Sequence, residues 1–395
     1  MRKARILWGS PLPPTRSGVA DYAAELLPVL AARAKITLLQ PPDHTVSGPE
    51  LDELPRLAWD APNPAGFVPL LHLGNNPYHL WIARRLRRLG GIVVLHDTVL
   101  HHLLVEEAAA DDAWERFAEE LSVAHGSQGR ALAEARRWGY QGRTDPFLLP
   151  ARRVYLQHAQ GVIVHSATAA EQVRQACPAL SVRTTPLAVA ALTAGKRTQW
   201  RARLGADEGT LLLAHLGFLT PAKGLPMILS ALWALRQLKV SCRLVVVGEG
   251  SESDAVLDQA RRAGLADRIV LYGYARHAEL GGILGAADLG LVPRFPTAGE
   301  TSAAALRFLA VGTPVAVTGL AQFLELPPAA AFRLAPGHAG VADLVRAVVQ
   351  LAGSARVRQQ ARRAAREAWR SGGHEPAHAA DALLNAVAEL GADVV

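Results

Sequence analysis

The chain has 395 residues, of which 50% are hydrophobic, which is enough for two or three domains with cores of their own. This composition excludes a disordered chain, a coiled coil and a small disulfide-rich protein. The 42 Lys and Arg residues outnumber the 35 Asp and Glu residues, but both halves of the chain share them and neither end forms a basic tail. We therefore expect no nucleic-acid partner, and the excess charge indicates either a solvated surface or attraction to anionic substrates or a membrane face.

Cysteine usage and hydropathy indicate a cytoplasmic protein. Cys177 and Cys242 fit neither a metal spacing nor a disulfide framework. The start of the chain has only Ile6, Leu7 and Trp8 as an apolar stretch, so no signal peptide is predicted. The longest uncharged apolar run, residues 308–324, is interrupted by Gly and Pro and is too short to span a bilayer. Membrane contact, at the inner face, is therefore expected only as a peripheral one.

Short apolar runs alternate with longer segments of helical period along the chain, which is typical of βα units. The strands predicted in the first half are residues 5–9, 36–40, 68–73, 92–96, 162–165 and 183–186. Those predicted in the second half are residues 211–216, 243–247, 269–272, 289–292, 314–318 and 332–334. The runs do not alternate strictly between apolar and polar residues, so we expect parallel strands with helices on both faces.

The segment between the two series of strands has mixed charge and little strand character. We therefore predict an α/β protein with two Rossmann-like, doubly wound domains at residues 1–190 and 209–375, joined by a linker at residues 191–208. Helices are predicted at residues 339–351 and 354–369. The last part of the chain, residues 376–395, is predicted as a helix over about 378–390 that packs on either domain.

Ligands of open α/β sheets bind at the carboxyl ends of the strands, and one such end carries a Gly-rich loop with a lysine. The sequence GFLTPAKG, residues 217–224, leads directly into a predicted helix. Free amides at a helix start favour an anion by about 0.3–1 kcal/mol, and Lys223 adds a full charge. The loop differs from a P-loop because no Ser or Thr follows Gly224 to hold magnesium. A solvated lysine at a helix start is the alternative interpretation.

A second strand end carries Gly248, Glu249 and Gly250 before a helix. Ser253 stands where the dinucleotide-binding pattern has its third Gly, and the next strand ends without an acidic residue for a ribose. The pattern therefore gives little support to an NAD site, and glycines that only form tight turns are the alternative.

A third strand end places Glu300, Thr301 and Ser302 before a helix that begins near Ala303. A hydroxyl there caps the helix by default. The carboxylate can instead orient sugar hydroxyls while the amides bind phosphate, and a carboxylate that only complements the helix dipole is the alternative.

These motifs together resemble those of the retaining, nucleotide-sugar-dependent glycosyltransferases of family 4, and the resemblance covers almost the whole chain. It is carried by residues 10–28 (SPLPPTRSGVADYAAELLP), 72–79 (HLGNNPYH), 93–102 (VVLHDTVLHH), 217–224 (GFLTPAKG), 245–250 (VVVGEG), 293–302 (PRFPTAGETS), 308–317 (FLAVGTPVAV) and 323–327 (FLELP). Each segment is weak evidence alone, but their order and spacing are specific. The donor loop is most similar to that of a bacterial subgroup with the pattern PTxGETS.

The resemblance implies the GT-B arrangement, in which the two domains face a cleft, the second binds the nucleotide sugar and the acceptor enters from the first. It implies that Lys223 binds the diphosphate, that Glu300 contacts the donor sugar and that His96 lines the reacting centre. The donor-binding residues are expected to be Gly18, Gly217, Phe218, Glu249, Tyr272, Tyr274, Thr301, Ser302 and Arg307. The acceptor-side residues are expected to be Asn75, Asn76, His79 and Asp97, for which Asn-containing turns are the alternative.

The chain departs from the family pattern at two charged positions. Phe218 stands where most members have an Arg, and Arg307 stands where they have the second of two glutamates. Two additional residues between Pro293 and Gly312 also shift the alignment of Glu300. We expect Arg294 or Arg307 to supply the missing positive charge.

No Asp-x-Asp pair lies beside a predicted strand end, so we expect neither a metal ion nor a cofactor besides the nucleotide sugar. The resemblance implies retention of configuration and a role in bacterial surface polysaccharide or glycolipid assembly, with a carbohydrate or lipid-linked acceptor. The arginine clusters at residues 84–88 and 152–153 are either solvated faces or contacts to lipid headgroups. A non-catalytic nucleotide-sugar-binding protein and an NAD-dependent oxidoreductase are the alternative functions.

Overall fold

A computed structural model describes residues 3–43, 45–48, 50–142, 144–250 and 253–392. The chain divides into two compact units. The first unit contains residues 1–188, 298–301 and 376–395, and the second contains residues 189–297 and 302–375. Residues 393–395, which belong to the predicted C-terminal helix, lie outside the described residues.

The first unit is built on a parallel sheet with helices on its faces. Its strands are β1 (Arg5–Gly9), β2 (Lys35–Gln40), β3 (Arg56–Ala58), β4 (Val68–Leu73), β5 (Ile92–Leu95), β6 (Gly161–Val164) and β7 (Val182–Thr184). Its helices are α1 (Gly18–Arg33), α2 (Leu80–Leu89), α3 (His101–Asp111), α4 (Trp114–Arg137), α5 (Asp145–Leu148), α6 (Arg152–Leu156), α7 (Ala167–Ala176) and, at the end of the chain, α15 (Pro376–Ala392). The strand order is β3-β2-β1-β4-β5-β6-β7, and every neighbouring pair is parallel.

The second unit repeats this architecture with six strands in its sheet. They are β8 (Leu211–Leu216), β9 (Cys242–Val247), β10 (Ile269–Gly273), β11 (Leu289–Val292), β12 (Val315–Thr318) and β13 (Ala331–Leu334). The helices are α8 (Arg197–Arg203), α9 (Leu225–Gln237), α10 (Ser253–Arg262), α11 (His277–Ala286), α12 (Ala303–Ala310), α13 (Val341–Gly353) and α14 (Ala355–Ser371). The parallel strands follow the order β10-β9-β8-β11-β12-β13.

The predicted fold class, an α/β protein with two parallel Rossmann-like sheets, is confirmed. All twelve predicted strands are present within two residues of their predicted ends, and in most of them the Leu, Ile and Val runs are buried on both faces of a sheet. Strand β3 was not predicted. It has three residues, pairs only with β2 at the edge of the sheet and has no fully buried residue, so its sequence lacks a strand's apolar run.

The segment that was predicted as a linker, residues 191–208, lies within the second unit and contains α8. Arg197 and Arg201 donate hydrogen bonds of 2.5 and 2.9 Å to the buried carboxylate of Asp288. Trp200 occupies the space beside Gly282 on α11, where even a Cβ would lie 2.0 Å from the indole nitrogen. The mixed charge of this segment therefore reflects a packed ion-pair network.

The C-terminal helix α15 belongs to the first unit, where it packs on α1. Asp381 pairs with Arg33 of α1 at 2.9 Å, and Glu389 pairs with Arg183 of β7 at 2.6 Å. Leu390 fills the space in front of Gly161, at the start of β6. The last helix therefore covers elements from both ends of the first unit's sequence.

Candidate functional site

The strand orders determine where each sheet can bind a ligand. In an open parallel sheet, connections leave in opposite directions from the two strands at which the order reverses, and a crevice opens at their carboxyl ends. That point lies between β1 and β4 in the first unit and between β8 and β11 in the second. The predicted site residues follow these strands and their neighbours.

In the second unit, the loop after β8 brings a lysine to the start of a helix. Gly217 has φ +126°, and a Cβ built on it would lie 3.3 Å from Nζ of Lys223. The chain then passes through Gly224 into α9, whose first turn has no side-chain cap. The first amides of a helix, here those of Leu225 and Met227, lack intrahelical acceptors and favour an anion near the helix start. The lysine and the helix start have the features expected of an anion-binding loop, and we use that name for residues 217–224.

The glycines of the neighbouring loop after β9 are required for close backbone packing. A Cβ on Gly248 would lie 2.2 Å from the carbonyl oxygen of Gly217, and one on Gly250 would lie 2.4 Å from that of Leu219. The amide of Leu219 also donates to the carbonyl oxygen of Glu249 at 3.0 Å. The two loops therefore form a single surface without intervening side chains, which explains the GEG sequence without a dinucleotide.

The loop after β11 packs against the anion-binding loop from the other side. The amide of Phe295 donates to the carbonyl oxygen of Ala222 at 2.9 Å. Gly224, at φ +70°, leaves no room for a side chain, because its Cβ would lie 2.6 Å from the carbonyl oxygen of Pro293. The adjacent Arg294 is thereby fixed at the same sheet edge.

A buried histidine lies close to the positive charges at this edge of the sheet. His215 on β8 is 2% exposed, and its Nδ1 donates to the carbonyl oxygen of Leu291 at 3.0 Å. Its pKa is lowered to about 3, mainly by burial and also by the charges of Lys223 and Arg294, while the hydrogen bond to Leu291 acts in the opposite direction. Two cations therefore lie close to a neutral imidazole.

The remaining donor-side candidates of the second unit divide into exposed and buried groups. Phe218 and Tyr274 are 54% and 63% exposed. Glu249 is exposed as well, and its carboxylate accepts a 3.4 Å hydrogen bond from the amide of Tyr274. Tyr272 is half-buried, and its hydroxyl donates to Glu279 at 3.3 Å.

Helix α12 contributes two further predicted residues. Ser302 is buried and caps the helix, because its Oγ accepts from the amide of Ala305 at 3.3 Å. Arg307 lies in the middle of α12 and is only 7% exposed. The hydroxyl of Ser302 is therefore used within the fold.

Residues 298–301 belong to the first unit, which separates Glu300 and Thr301 from Ser302. The amides of Thr98 and Val99 both donate to the carbonyl oxygen of Ala298, at 2.8 and 3.0 Å. Gly299, at φ +78°, lies so close to Thr98 that a Cβ would be 2.0 Å from its Oγ1.

The side chains that follow Gly299 are also held closely. Thr301 donates from Oγ1 to the carbonyl oxygen of His165 at 3.1 Å. Glu300 is buried, with 9% of its surface exposed. The sequence could not predict this placement, because a contact between residues 136 positions apart has no local signal.

A cluster of four histidines, His72, His79, His96 and His165, lies at the carboxyl ends of β4, β5 and β6. We call it the histidine cluster. The rings of His72 and His96 are stacked with their centroids 5.3 Å apart, and His165 lies 5.3 Å from His96. Burial and mutual repulsion hold the pKa values of His72 and His96 well below 6.5. The rings are therefore neutral at pH 7. His96 and His79 were predicted as site residues, whereas His72 and His165 were not.

His79 has a structural partner inside the cluster. It is fully buried, and its Nδ1 donates to the carbonyl oxygen of His72 at 2.9 Å. Burial lowers its pKa to about 4. Its Nε2 lies beside Gly74, where a Cβ would be only 2.7 Å away. His79 therefore supports the cluster from within and is closed to solvent.

The other predicted acceptor-side residues also make local hydrogen bonds. The backbone amide of Asn75 donates to Oδ2 of Asp97 at 2.8 Å, and its side-chain Oδ1 accepts from the backbone amide of Leu103 at 3.1 Å. Asn76 caps a short 3-10 helix by accepting from the amide of Tyr78 at 3.0 Å. Asp97 and Asn75 are thus brought together beside His96. Asn76 stabilises a turn, which is the alternative role predicted for it.

Gly18 differs from the other glycines of the site because the protein itself does not fill the space beside it. It is exposed at the start of α1, and no atom lies within 4 Å of a Cβ built on it. Ser17 caps the helix by accepting from the amide of Ala20 at 3.1 Å. The fold therefore tolerates a side chain at position 18.

The arginine clusters are mostly committed to contacts within the protein. Arg85 is fully buried and donates to the carbonyl oxygen of Ala61 at 2.9 Å. Arg87 pairs with Glu120 at 2.8 Å. Arg152 donates to the carbonyl oxygens of Thr98 and Gln172 at 2.8 and 3.0 Å. These three side chains therefore belong neither to a solvated face nor to a contact with lipid headgroups, the two roles predicted from the sequence.

Two general features concern metals and membranes. In the part of the chain that the structure describes, no three His, Cys, Asp or Glu residues are arranged to hold a metal ion. Across the same residues, no helix is both long enough and apolar enough to cross a bilayer.

Residues 210–354 match the family of Glycosyl transferases group 1. A D-inositol 3-phosphate glycosyltransferase of Segniliparus rotundus is 33% identical to this chain over 125 residues. The match covers 31% of this chain and 27% of that protein, so the chain spans about a quarter of the relative's length. The segment that matches this family extends from the start of β8 to the end of α13.

Solved structures share the fold over the whole chain. Sucrose-phosphate synthase from Thermosynechococcus elongatus has a TM-score of 0.70 at 16% identity, and the likeness covers 99% of this chain and 100% of that one. Anabaena HepE in complex with UDP has a TM-score of 0.63 at 16% identity, covering 98% and 100% of the two chains. These similarities support the predicted GT-B fold class.

Proposed function

We propose that this protein is a glycosyltransferase that moves a sugar from a nucleotide-diphosphate sugar to an acceptor hydroxyl. The single observation that carries the proposal is the anion-binding loop after β8, where Lys223 lies over Gly217 at the start of α9. The loop lies inside the segment that matches the Glycosyl transferases group 1 family. Anabaena HepE, which has a similar fold, has been solved with UDP and with UDP-glucose. Uridine nucleotides are therefore the first donors to test.

In the second unit, we assign the diphosphate to Lys223, Arg294 and the amides at the start of α9. Negative charge grows on the diphosphate as the glycosyl bond breaks, and cations held in place before the reaction stabilise it without reorganisation. We assign to Arg294 the role of the arginine that is missing at Phe218. The charges of Arg294 and Lys223 both lower the pKa of His215, so the two cations lie near the same histidine. Arg307 is the less suitable replacement because only 7% of its surface is exposed.

The nucleoside is assigned to the neighbouring strand ends. Gly217, Glu249 and the backbone of Tyr272 and Tyr274 form the surface beside the anion-binding loop, and the exposed ring of Phe218 adds an apolar contact. The amides of Thr301 and Ser302 are proposed to bind phosphate oxygens, because both hydroxyls are already used within the fold.

In the first unit, we assign substrate contacts to His96, Glu300 and the loop at Gly18. His96 lies at the carboxyl end of β5, and Glu300 is buried in segment 298–301, which belongs to the first unit. Asn75 and Asp97 are proposed to position the acceptor, with Asn76 and His79 supporting their loop. The open space beside Gly18 admits a substrate group against the backbone.

We propose that the reaction retains the configuration of the sugar, as in family 4. The acceptor hydroxyl attacks the anomeric carbon from the face of the leaving diphosphate, the bond from that carbon to the phosphate oxygen breaks, and a phosphate oxygen takes the hydroxyl proton. No metal ion is needed in this scheme, because the lysine, the arginine and the helix amides supply the positive charge. A carbohydrate or lipid-linked acceptor, and a role in bacterial polysaccharide or glycolipid assembly, complete the proposal. Peripheral contact with the inner membrane face would use exposed arginines such as Arg88 and Arg153.

The test is a donor panel with the purified protein. UDP-, GDP- and ADP-sugars are incubated with candidate acceptors in the presence and absence of EDTA, and release of the nucleoside diphosphate and the anomeric configuration of the product are measured. We expect release with one donor class, unchanged by EDTA, and a product with the donor's configuration. Binding without transfer or hydrolysis would favour the non-catalytic nucleotide-sugar-binding function, and tight binding of NADH in a fluorescence titration would favour the oxidoreductase.

A further inference from the structure

Within the histidine cluster, His72 and His96 form a hydrogen bond. Because both rings are neutral, the identity of the donor depends on which nitrogen of each ring carries its proton. Nδ1 of His72 lies 3.0 Å from Nε2 of His96. His72 is fully buried, with its ring 4.0 Å from that of Trp8, and both histidine pKa values lie well below 6.5. Each ring therefore has one proton at pH 7, and one ring must donate while the other accepts.

The surroundings of His72 decide which ring donates. Its other nitrogen, Nε2, is buried and has no hydrogen-bond partner among the described residues. A proton on Nε2 would leave a buried N–H group without an acceptor, which is the rarer and more costly defect in folded proteins. A proton on Nδ1 satisfies the bond to His96 and leaves only a lone pair unpaired. His72 is therefore the donor.

This assignment fixes the proton of His96. Because Nε2 of His96 accepts from His72, the single proton of its neutral ring lies on Nδ1. The edge contact with Tyr22, at 5.2 Å between ring centroids, restrains the ring's orientation. In the described part of the chain, the hydrogen bond of the His96 ring is made at Nε2 and the residue is only partly buried, so we expect its Nδ1–H group to be open to a ligand.

We propose that His72 is a positioning residue that holds His96 in the tautomer with the proton on Nδ1, so that His96 offers a hydrogen-bond donor to a sugar hydroxyl oxygen. This rests on the proposed function for the identity of the ligand. A nitrogen that carries a proton cannot accept one, so His96 does not act as a general base through Nδ1. The acceptor's proton must then leave by another route, and the leaving phosphate oxygen is the available one.

The other members of the histidine cluster provide an internal comparison. His79 and His165 each place Nδ1 near a backbone carbonyl oxygen, at 2.9 and 3.1 Å. A carbonyl oxygen only accepts, so these two rings must be protonated at Nδ1 whatever happens at position 72. Only His96 depends on another histidine for its tautomer.

The test is ¹⁵N NMR of the full chain labelled at histidine, in which a protonated ring nitrogen and an unprotonated one have well separated chemical shifts. His96 is assigned from the signals lost in His96→Gln. The variants are His72→Phe, which keeps a ring but removes the donor, and His72→Asn, whose amide places a donor close to the position of Nδ1. We expect His96 to be protonated at Nδ1 in the native protein and in His72→Asn, and to shift toward protonation at Nε2 in His72→Phe.

Two results would overturn the inference: protonation of His96 at Nε2 in the native protein, or an unchanged tautomer in His72→Phe. The signals of His79 serve as the folding control, because its tautomer is expected to stay the same in both variants. If His72→Phe fails this control, the native protein is compared with His72→Asn instead. A different tautomer of His96 in these two proteins would also refute the assignment.

Kinetics then connect the tautomer to the proposed function. His72→Phe should lower kcat/KM for sugar transfer by about 3- to 12-fold, the equivalent of one neutral hydrogen bond, whereas His72→Asn should keep most of it. A native protein without transferase activity would remove the proposed function and leave the NMR result to decide the role of His72 by itself.

Discussion

Replacing Gly18 with Ala should stabilise the protein and weaken substrate binding at the same time. Gly18 is the first residue of α1, its φ is not positive, and no atom lies within 4 Å of the added Cβ. Gly-to-Ala changes at compatible positions stabilise by about 0.4–1 kcal/mol, chiefly because the unfolded chain loses freedom. For a unit of this size we expect Tm to rise by about 1–3 °C.

The cost of the same methyl group appears only when a substrate is bound. If a ligand approaches the backbone at Gly18, an added methyl group overpacks the contact, which typically costs about 1–3 kcal/mol. We therefore expect kcat/KM for the nucleotide sugar to fall by about 5- to 150-fold. Differential scanning calorimetry gives the first quantity, and initial rates at varied donor concentration give the second.

Gly353→Ala is the matched control, since Gly353 also has no atom within 4 Å of a Cβ and ends α13 in the second unit. It should leave kcat/KM unchanged. An unchanged kcat/KM in Gly18→Ala would show that no substrate meets this backbone, and a lower Tm would show that the space beside Gly18 is not open.

Two further predictions concern stability. The pKa values of His79 and His215 lie at about 4 and 3, below the ordinary 6.5, so the unfolded chain binds more protons than the folded chain between these limits. The free energy of unfolding is therefore full above pH 6.5 and falls by roughly 2.5 kcal/mol per histidine by pH 4.5. Urea unfolding at pH 7 and pH 4.5 measures this, and equal stability at the two pH values would contradict the burial of neutral rings. Gly248→Ala should destabilise the second unit by about 1–3 kcal/mol and weaken nucleotide binding. Gly248 has φ +133°, and a Cβ at this position would lie 2.2 Å from the carbonyl oxygen of Gly217. Gly209→Ala, at an exposed position with room for a methyl group, is the control, and equal urea midpoints for the two variants would argue against close packing of the two loops.

Much of the fold could be predicted because its signals are local. Strands such as β8 and β11 have every residue, or all but one, buried, and their runs of Leu and Val identify them without knowledge of their neighbours. Strand β3 has only a parallel partner and a half-buried Leu57, so nothing in its three residues indicates a strand. The segment at residues 191–208 looked like a linker because Arg197 and Arg201 are charged, and their partner Asp288 is about 90 residues away.

The candidate site divides in the same way. The position of Lys223 at a helix start could be predicted because the strand, the glycine, the lysine and the helix follow one another within the sequence. His72 could not, because its importance depends on strand order: β4 and β5 are neighbours, and only their pairing brings its ring to His96. The grouping of residues 298–301 with the first unit likewise depends on amides of Thr98 and Val99, far away in the sequence.

The loop after β8 is proposed to bind the diphosphate of an activated sugar, and isothermal titration of UDP, GDP and ADP tests this binding most directly. Lys223→Ala is compared with the native protein and with Lys239→Ala, which removes an exposed charge just beyond the other end of α9. A charge-assisted hydrogen bond contributes about 1.5–3 kcal/mol, so we expect the Kd of the preferred nucleotide to rise at least tenfold in Lys223→Ala and to stay unchanged in Lys239→Ala. Equal Kd values for the native protein and Lys223→Ala would contradict the claim.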